Sequence, residues 1–209
     1  MGRVVRIWRN RLPHWEVSGA SYFVTIRCAG SLPKEILERL QSTERTLSAI
    51  RPNSDAFRNE QRKYFRILDR YLDCGTGFAP FVKPDSCLEA LRLIREGAQT
   101  ESWALGPAVV MPNHLHAIFR HREETSSCGL ETFLKRLKGR TARGMNKYLG
   151  RLGKFWQREW FDRWIRSAEE FRRTVRYIEN NPVTAGITES LPAYPGYYPG
   201  DDGESRFKG

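Results

Sequence analysis

Strand-period runs alternating with helix-period stretches predict an α+β fold on a ferredoxin-like βαββαβ plan. The expected architecture is an antiparallel sheet with helices on one face, an enlarged helical crossover and an extra C-terminal helix. Three observations carry the prediction. Runs rich in β-branched and aromatic residues lie at 22–28, 103–111, 114–120 and 155–165. A helical region at 33–98 separates the first two, and an amphipathic stretch at 130–149 separates the last two. A final helix opens at Ser167 and Glu170, which together form a capping box.

The N-terminal residues 1–20 are basic and irregular. Arg3, Arg6, Arg9 and Arg11 interleave with Val4, Val5, Ile7 and Trp8. Such an arm suits a nucleic-acid backbone, and a frayed terminus would look the same. His14 beside Trp15 reads as structural. Tyr22 to Cys28 is the first strand. In the crossover, Pro33 starts an amphipathic helix through Ile36, Leu37, Leu40, Leu47 and Ile50. The cluster 51–55 is a turn. A second helix spans 59–72, and 73–77 breaks it. Ser86 with Glu89 opens a third helix that ends at Gly97. Trp103 to Met111 is a strand, Met111-Pro112-Asn113 a tight turn, and His114 to Arg120 the returning strand.

The stretch 130–149 buries Leu130, Phe133, Leu134, Leu137, Thr141, Met145 and Tyr148. Its other flank carries Lys135, Arg136, Lys138, Arg140, Arg143 and Lys147, a cationic face suited to a phosphate backbone or simply to solvent. In 155–165 aromatics alternate with charges. Arg158 and Arg163 there could accompany rings stacked on unpaired bases, although most of those rings read as core. The tail from Pro192 has no periodicity and is expected to be weakly ordered. The expected organisation is one domain over 1–190 with a tail at 191–209.

With 209 residues the chain can bury a sizeable core. A net charge of +11 and a pI of about 9.8 point to a polyanionic partner, most simply nucleic acid. The cysteines Cys28, Cys74, Cys87 and Cys128 form no CxxC pair, which fits reduced thiols in the cytoplasm. No apolar run approaches the ~20 residues of a membrane span. No GxGxxG or GxxxxGK[ST] loop is present, so no nucleotide cofactor is expected.

The chemistry concentrates in two places. His114 and His116 lie one residue apart on a strand, so they share a face while Leu115 points to the other. Two imidazoles so placed can share a metal ion. About sixty residues downstream, Ala168, Phe171, Val175 and Ile178 form the apolar stripe of the last helix. Tyr177 lies off that stripe, with Asn181 one turn further on the same flank. Pro182 is expected to stop the helix near Asn181.

These blocks resemble a known family. MPNHLH at 111–116, LKGRTARGMNKYL at 137–149, FWQREWFDRWI at 155–165 and YIENNPVTAGI at 177–187 are similar, in this order and spacing, to the REP-associated tyrosine transposases. Those are relatives of the single-tyrosine insertion-sequence transposases among the HUH single-strand nucleases. The resemblance covers roughly 11–190 and implies the same fold. It implies that His114, His116 and the Asn181 side-chain oxygen hold Mg²⁺ or Mn²⁺, and that Tyr177 is the nucleophile. The implied substrate is single-stranded DNA bearing a hairpin of the repetitive extragenic palindrome type, cleaved through a 5′-phosphotyrosine by a monomer or homodimer. The family pattern also carries a lysine at the position of Lys138. One departure is that related transposases usually place glutamine where Asn181 stands. Two other readings stay open: a hairpin-binding protein without nuclease activity, and a metal-dependent nuclease using water.

Overall fold

A computed structural model describes residues 3–200, apart from 53, 76 and 122–127. The strongest strand runs pair where their apolar parity lets both faces be covered. They are β3 (Ser21–Arg27), β4 (Trp103–Met111), β5 (His114–His121) and the short β6 (Phe161–Trp164). A fifth strand, β7 (Tyr197–Tyr198), completes a sheet of order β6-β3-β5-β4-β7, antiparallel throughout. The order of the first four is that of the βαββαβ plan. A separate two-stranded ribbon is formed by β1 (Val4–Arg9) and β2 (Pro13–Val17).

The helices are α1 (Lys34–Ala49), α2 (Asp55–Asp73), α3 (Pro84–Thr100), α4 (Leu130–Tyr148) and α5 (Ala168–Thr184). On one sheet face, Tyr22, Val24 and Ile26 of β3 and Leu115, Ala117 and Phe119 of β5 pack against α3 and α4. The opposite parity, Phe23, Val109, Met111 and Ile118, packs against α1, α2 and α5. Helices therefore cover both faces rather than one. The second face carries His114 and His116 among its apolar residues, and both histidines are fully buried.

Several local expectations shift. α2 begins at Asp55, not 59, because the Ser54 hydroxyl caps it by accepting from the Phe57 N–H at 3.1 Å. α3 runs through Gly97 to Thr100. A Cβ at Gly97 would meet Leu137 Cδ1 at 2.6 Å, so this glycine serves close packing on α4 rather than a stop. The run 155–165 contributes only Phe161–Trp164 as strand. Before it, Trp156 makes an isolated bridge to Cys28, and Phe155, Trp156 and Trp160 turn into the first core. On α4, Tyr148 is exposed rather than buried. α5 passes through Pro182 to Thr184; the Ala185 N–H still reaches Asn181 O at 2.9 Å and closes the last turn.

Residues 191–200 are ordered by packing that their composition does not announce. Tyr194 donates its hydroxyl to Val110 O at 2.6 Å, and β7 pairs with β4. The rest of the expected weak tail, 201–209, lies outside the described residues.

The N-terminal ribbon is the larger departure from the expected irregular arm. Its anchor is His14 on β2, fully buried. The imidazole pairs with Asp162 Oδ1 and lies 3.1 Å from Glu159 Oε1. Burial alone would lower its pKa, but the two carboxylates override this and raise it to about 9. The stabilisation from this imidazolium is thus fully present below about 6.5 and is lost as pH rises through about 9. His14→Gln should lower unfolding free energy by ~3 kcal/mol at pH 6, as expected for a broken buried ion pair. In urea melts that deficit should shrink as pH approaches 9. A deficit constant with pH would show that the imidazole is neutral in the folded protein.

Candidate active site

Asn113 ends the β4–β5 turn and orients the first histidine. Its amide N–H donates to Leu72 O at 3.1 Å, which fixes the amide orientation. Asn113 Oδ1 is then left to accept from His114 Nδ1 at 2.7 Å. The His114 hydrogen therefore sits on Nδ1, and the Nε2 lone pair points into the site. On the neighbouring strand, Thr25 Oγ1 lies 2.8 Å from His116 Nδ1 and orients that ring in the same way. The two Nε2 atoms converge to 3.0 Å. Burial, then the neighbouring His116, holds the His114 pKa well below the ordinary imidazole value, so it is neutral.

α5 brings the tyrosine. Its start is fixed as expected: Ser167 Oγ accepts from the Glu170 N–H at 3.1 Å, and Glu170 Oε2 accepts from the Arg166 N–H at 2.9 Å. Ile178 is buried, and Phe171 and Val175 pack at the edge of the same cluster. Tyr177, one flank over, points toward the histidines. Its hydroxyl is 3.1 Å from His116 Nε2 and accepts from Asn181 Nδ2 at 3.1 Å. Its ring sits edge-on to Phe23 and to Phe65, each at 5.7 Å.

A residue that sequence reasoning assigned no role completes the cluster. Asp69 on α2 accepts a hydrogen bond from the Tyr177 hydroxyl, and its Oδ1 lies 3.3 Å from His116 Nε2. Asp69, His114 and His116 each offer a ligand atom within 4.8 Å of the others. One turn on, Asp73 is also held close: burial and then Asp69 raise its pKa to about 7, and its Oδ1 is buried without a hydrogen bond. Burial, followed by the facing Asp69 carboxylate, pushes the Tyr177 phenol far above its usual value.

Residues 82–181 match the family model described as "Transposase IS200 like". Over that stretch the chain is similar to the IS200-like transposases. No curated protein sequence matches it significantly. Among solved structures, one described as "Structure of the REP associates tyrosine transposase bound to a REP hairpin" superposes with a TM-score of 0.51. It is 16% identical, and the match covers 91% of this chain and 80% of that one, a likeness of fold. The matched segment runs from before α3 to Asn181. It includes the histidines and the tyrosine helix but not α2, which carries Asp69.

The donor set fits a divalent cation. Neighbouring ligands each ~2.1 Å from an octahedral ion stand about 3 Å apart, which is the separation of the two Nε2 atoms, 3.0 Å. Two imidazole nitrogens this close need a proton or a cation between them. Asn181 Oδ1 is buried without a hydrogen-bond partner, on the side chain whose Nδ2 meets the Tyr177 hydroxyl. Imidazole nitrogen, amide oxygen and carboxylate together suit a divalent metal ion.

The expected DNA-contacting cations fall elsewhere. α4 packs on the sheet face opposite the histidines, so its side chains do not share their cleft. Arg136 pairs with Glu101 at 2.9 Å, and Arg140 donates to Thr100 Oγ1 at 2.9 Å. Arg143, Lys147 and Arg158 are exposed. Lys138 is not available to a phosphate: it is 9% exposed, donates to Arg158 O at 2.6 Å and lies 4.9 Å above the Trp160 ring. Burial, which Glu159 partly offsets, brings its pKa down to about 7. Of the expected set, only Arg163 lies beside Tyr177, in the wall of the cavity next to it. Among the described residues, no helix is long and apolar enough to cross a membrane.

Proposed function

We propose that this chain is a transposase that cleaves and rejoins single-stranded DNA beside hairpins, through a 5′-phosphotyrosine on Tyr177. The observation that carries the reading is the convergence at the Tyr177 hydroxyl. His116 Nε2 and Asn181 Nδ2 each lie 3.1 Å from it, on the face where the two imidazoles meet. The match to the IS200-like transposase model and the likeness of fold to a transposase solved with a hairpin support the substrate class.

The chemistry needs charge control. The oxygens of a phosphodiester repel an incoming nucleophile, and a divalent cation would supply the positive charge that offsets this and orients the phosphate. His114, His116 and the Asn181 oxygen would hold it, with Asp69 as a further ligand or as the proton acceptor. The Tyr177 phenol is protonated at neutral pH and cannot attack until its proton leaves. The Asp69 carboxylate, already accepting that hydrogen, is placed to take it. The new bond joins Tyr177 Oη to phosphorus, and the P–O3′ bond breaks. The departing 3′ oxygen takes a proton from solvent. A phenol leaves more readily than a sugar hydroxyl, so a DNA 3′-hydroxyl can reverse the step. Strand transfer then needs no nucleotide cofactor.

The test is cleavage of a hairpin-bearing single strand from the flanks of the gene, with Mn²⁺ or Mg²⁺, against EDTA and against the fully paired duplex. Only the single strand with metal should be cut. Equal cutting in EDTA would overturn the metal role, and equal cutting of duplex would overturn the substrate. Asn181→Ala should weaken metal-dependent cleavage on the order of 10–100-fold while hairpin binding stays intact, the loss typical of trimming a metal site. Equal loss of binding and cleavage would sink the ligand assignment.

A further inference from the structure

Beside Tyr177 lies a cavity of about 610 Å³, lined by Tyr177 and Asp69 but by neither imidazole, most of whose wall the cleavage step does not use. Its volume is within the ~300–1,000 Å³ range of small-molecule sites. The inner wall is aromatic. Phe65 of α2 and Phe161 of β6 lie 4.8 Å apart by ring centroids, and Phe65 also touches the Tyr177 ring. The rim is cationic. Arg62 and Arg66 stand one turn apart on the same exposed side of α2, and Arg163 and Arg173 face them from β6 and α5.

The charge balance at the rim favours an anion. The cavity is lined by Arg62, Arg66, Arg163 and Arg173 against two carboxylates, Asp69 and Glu170, with Arg173 also paired to Glu169 at 3.0 Å. Asp69 is committed to Tyr177, and Glu170 to the start of α5. Arg163 lies 3.3 Å from Glu170, yet its buried Nε makes no hydrogen bond, so the guanidinium retains donor capacity. The nearest polar contact of Arg62 is neutral, Asn59 Oδ1 at 3.3 Å.

An aromatic wall under a guanidinium rim is the combination that holds unpaired nucleotides, because every base has a face to stack and every linkage a charge to meet. We propose that this cavity binds one unpaired nucleotide flanking the scissile phosphate, its base against Phe65 and Phe161 and its phosphate on Arg62 and Arg66. The inference rests on the reading of Tyr177 as nucleophile, and it makes the crossover helix α2 part of the DNA site. It also gives a structural reason for single-strand preference: the strand must be unpaired at the point of cleavage as well as looped nearby.

The experiment leaves the protein unchanged first. A 3′-labelled hairpin strand carries an abasic residue at each position flanking the mapped cleavage point in turn. The full chain is then assayed with Mn²⁺ for the SDS-resistant adduct. An abasic residue at one flanking position should slow adduct formation roughly tenfold, the scale of one lost base stack. In Phe65→Ala the same change should cost less than about twofold. Arg62→Ala with Arg66→Ala, both exposed and compatible with folding, should raise KM for the strand about tenfold with kcat nearly kept, and should flatten its salt dependence. Normal adduct formation from both abasic strands, or an unchanged KM in the arginine variant, would overturn the cavity assignment while leaving the nucleophile in place. No adduct from the intact strand would remove the reading beneath it, and this inference with it.

Discussion

Tyr177→Phe is expected to abolish covalent DNA attachment and to lower strand cleavage by at least ~10⁴-fold, the scale seen when a nucleophile is removed. The substitution is clean. The ring stays packed edge-on against Phe23 and Phe65, each 5.7 Å away, and only the hydroxyl is lost. The Asp69 carboxylate and the Asn181 amide lose one hydrogen-bond partner, at about 1 kcal/mol. Thermal melting should therefore shift by a few degrees at most, and hairpin binding should persist. If water were the nucleophile, the variant would keep much of its cleavage, because the site around the imidazoles would remain.

The second large effect is expected at the histidines. His116 is fully buried, meets His114 at 3.0 Å and contacts Thr25, Asp69 and Tyr177. In His116→Gln, Mn²⁺ affinity and adduct formation should both fall by more than about 100-fold. The direct readout is linkage. A metal at 100 times its Kd stabilises the folded state by about 2.7 kcal/mol. The unaltered protein should therefore melt several degrees higher with Mn²⁺ than with EDTA, and the variant should not. A variant that still gains the full shift would place the metal elsewhere. A protein whose melting ignores Mn²⁺ altogether would make the pair ordinary core histidines.

What could be read from the chain alone was what depends on local period. The one-residue spacing of His114 and His116 fixes a shared face whatever surrounds the strand, and Pro112 with Asn113 marks the turn before it. Tyr177 and Asn181 are one helical turn apart, so their common flank follows from geometry. Asp69 was illegible because its place is tertiary. It stands on a helix far from both blocks in sequence, and only the crossover fold lays α2 beside α5. Its sole local trace is the carboxylate pair with Asp73 near the end of an otherwise arginine-rich helix.

The cationic face of α4 was legible in charge but not in destination. Lys138 follows Leu137 and lies one turn beyond Leu134, close enough to the buried stripe to be drawn against Trp160, where the Arg158 carbonyl accepts its hydrogen bond. The N-terminal ribbon hid for the opposite reason. Of β1 only Trp8 is buried, so the strand has no apolar alternation to display. It exists because β2 pairs with it and His14 pins β2 to the sheet.

The most direct measurement is to trap the intermediate and locate it. The protein is mixed with 3′-labelled hairpin strand and Mn²⁺, run on a denaturing gel, and the slow band digested for mass spectrometry. The account predicts a metal-dependent protein–DNA band whose nucleotide is carried on the peptide containing Tyr177, joined through a 5′ phosphate. A cleaved strand with no such band, or the nucleotide on any other residue, would contradict it.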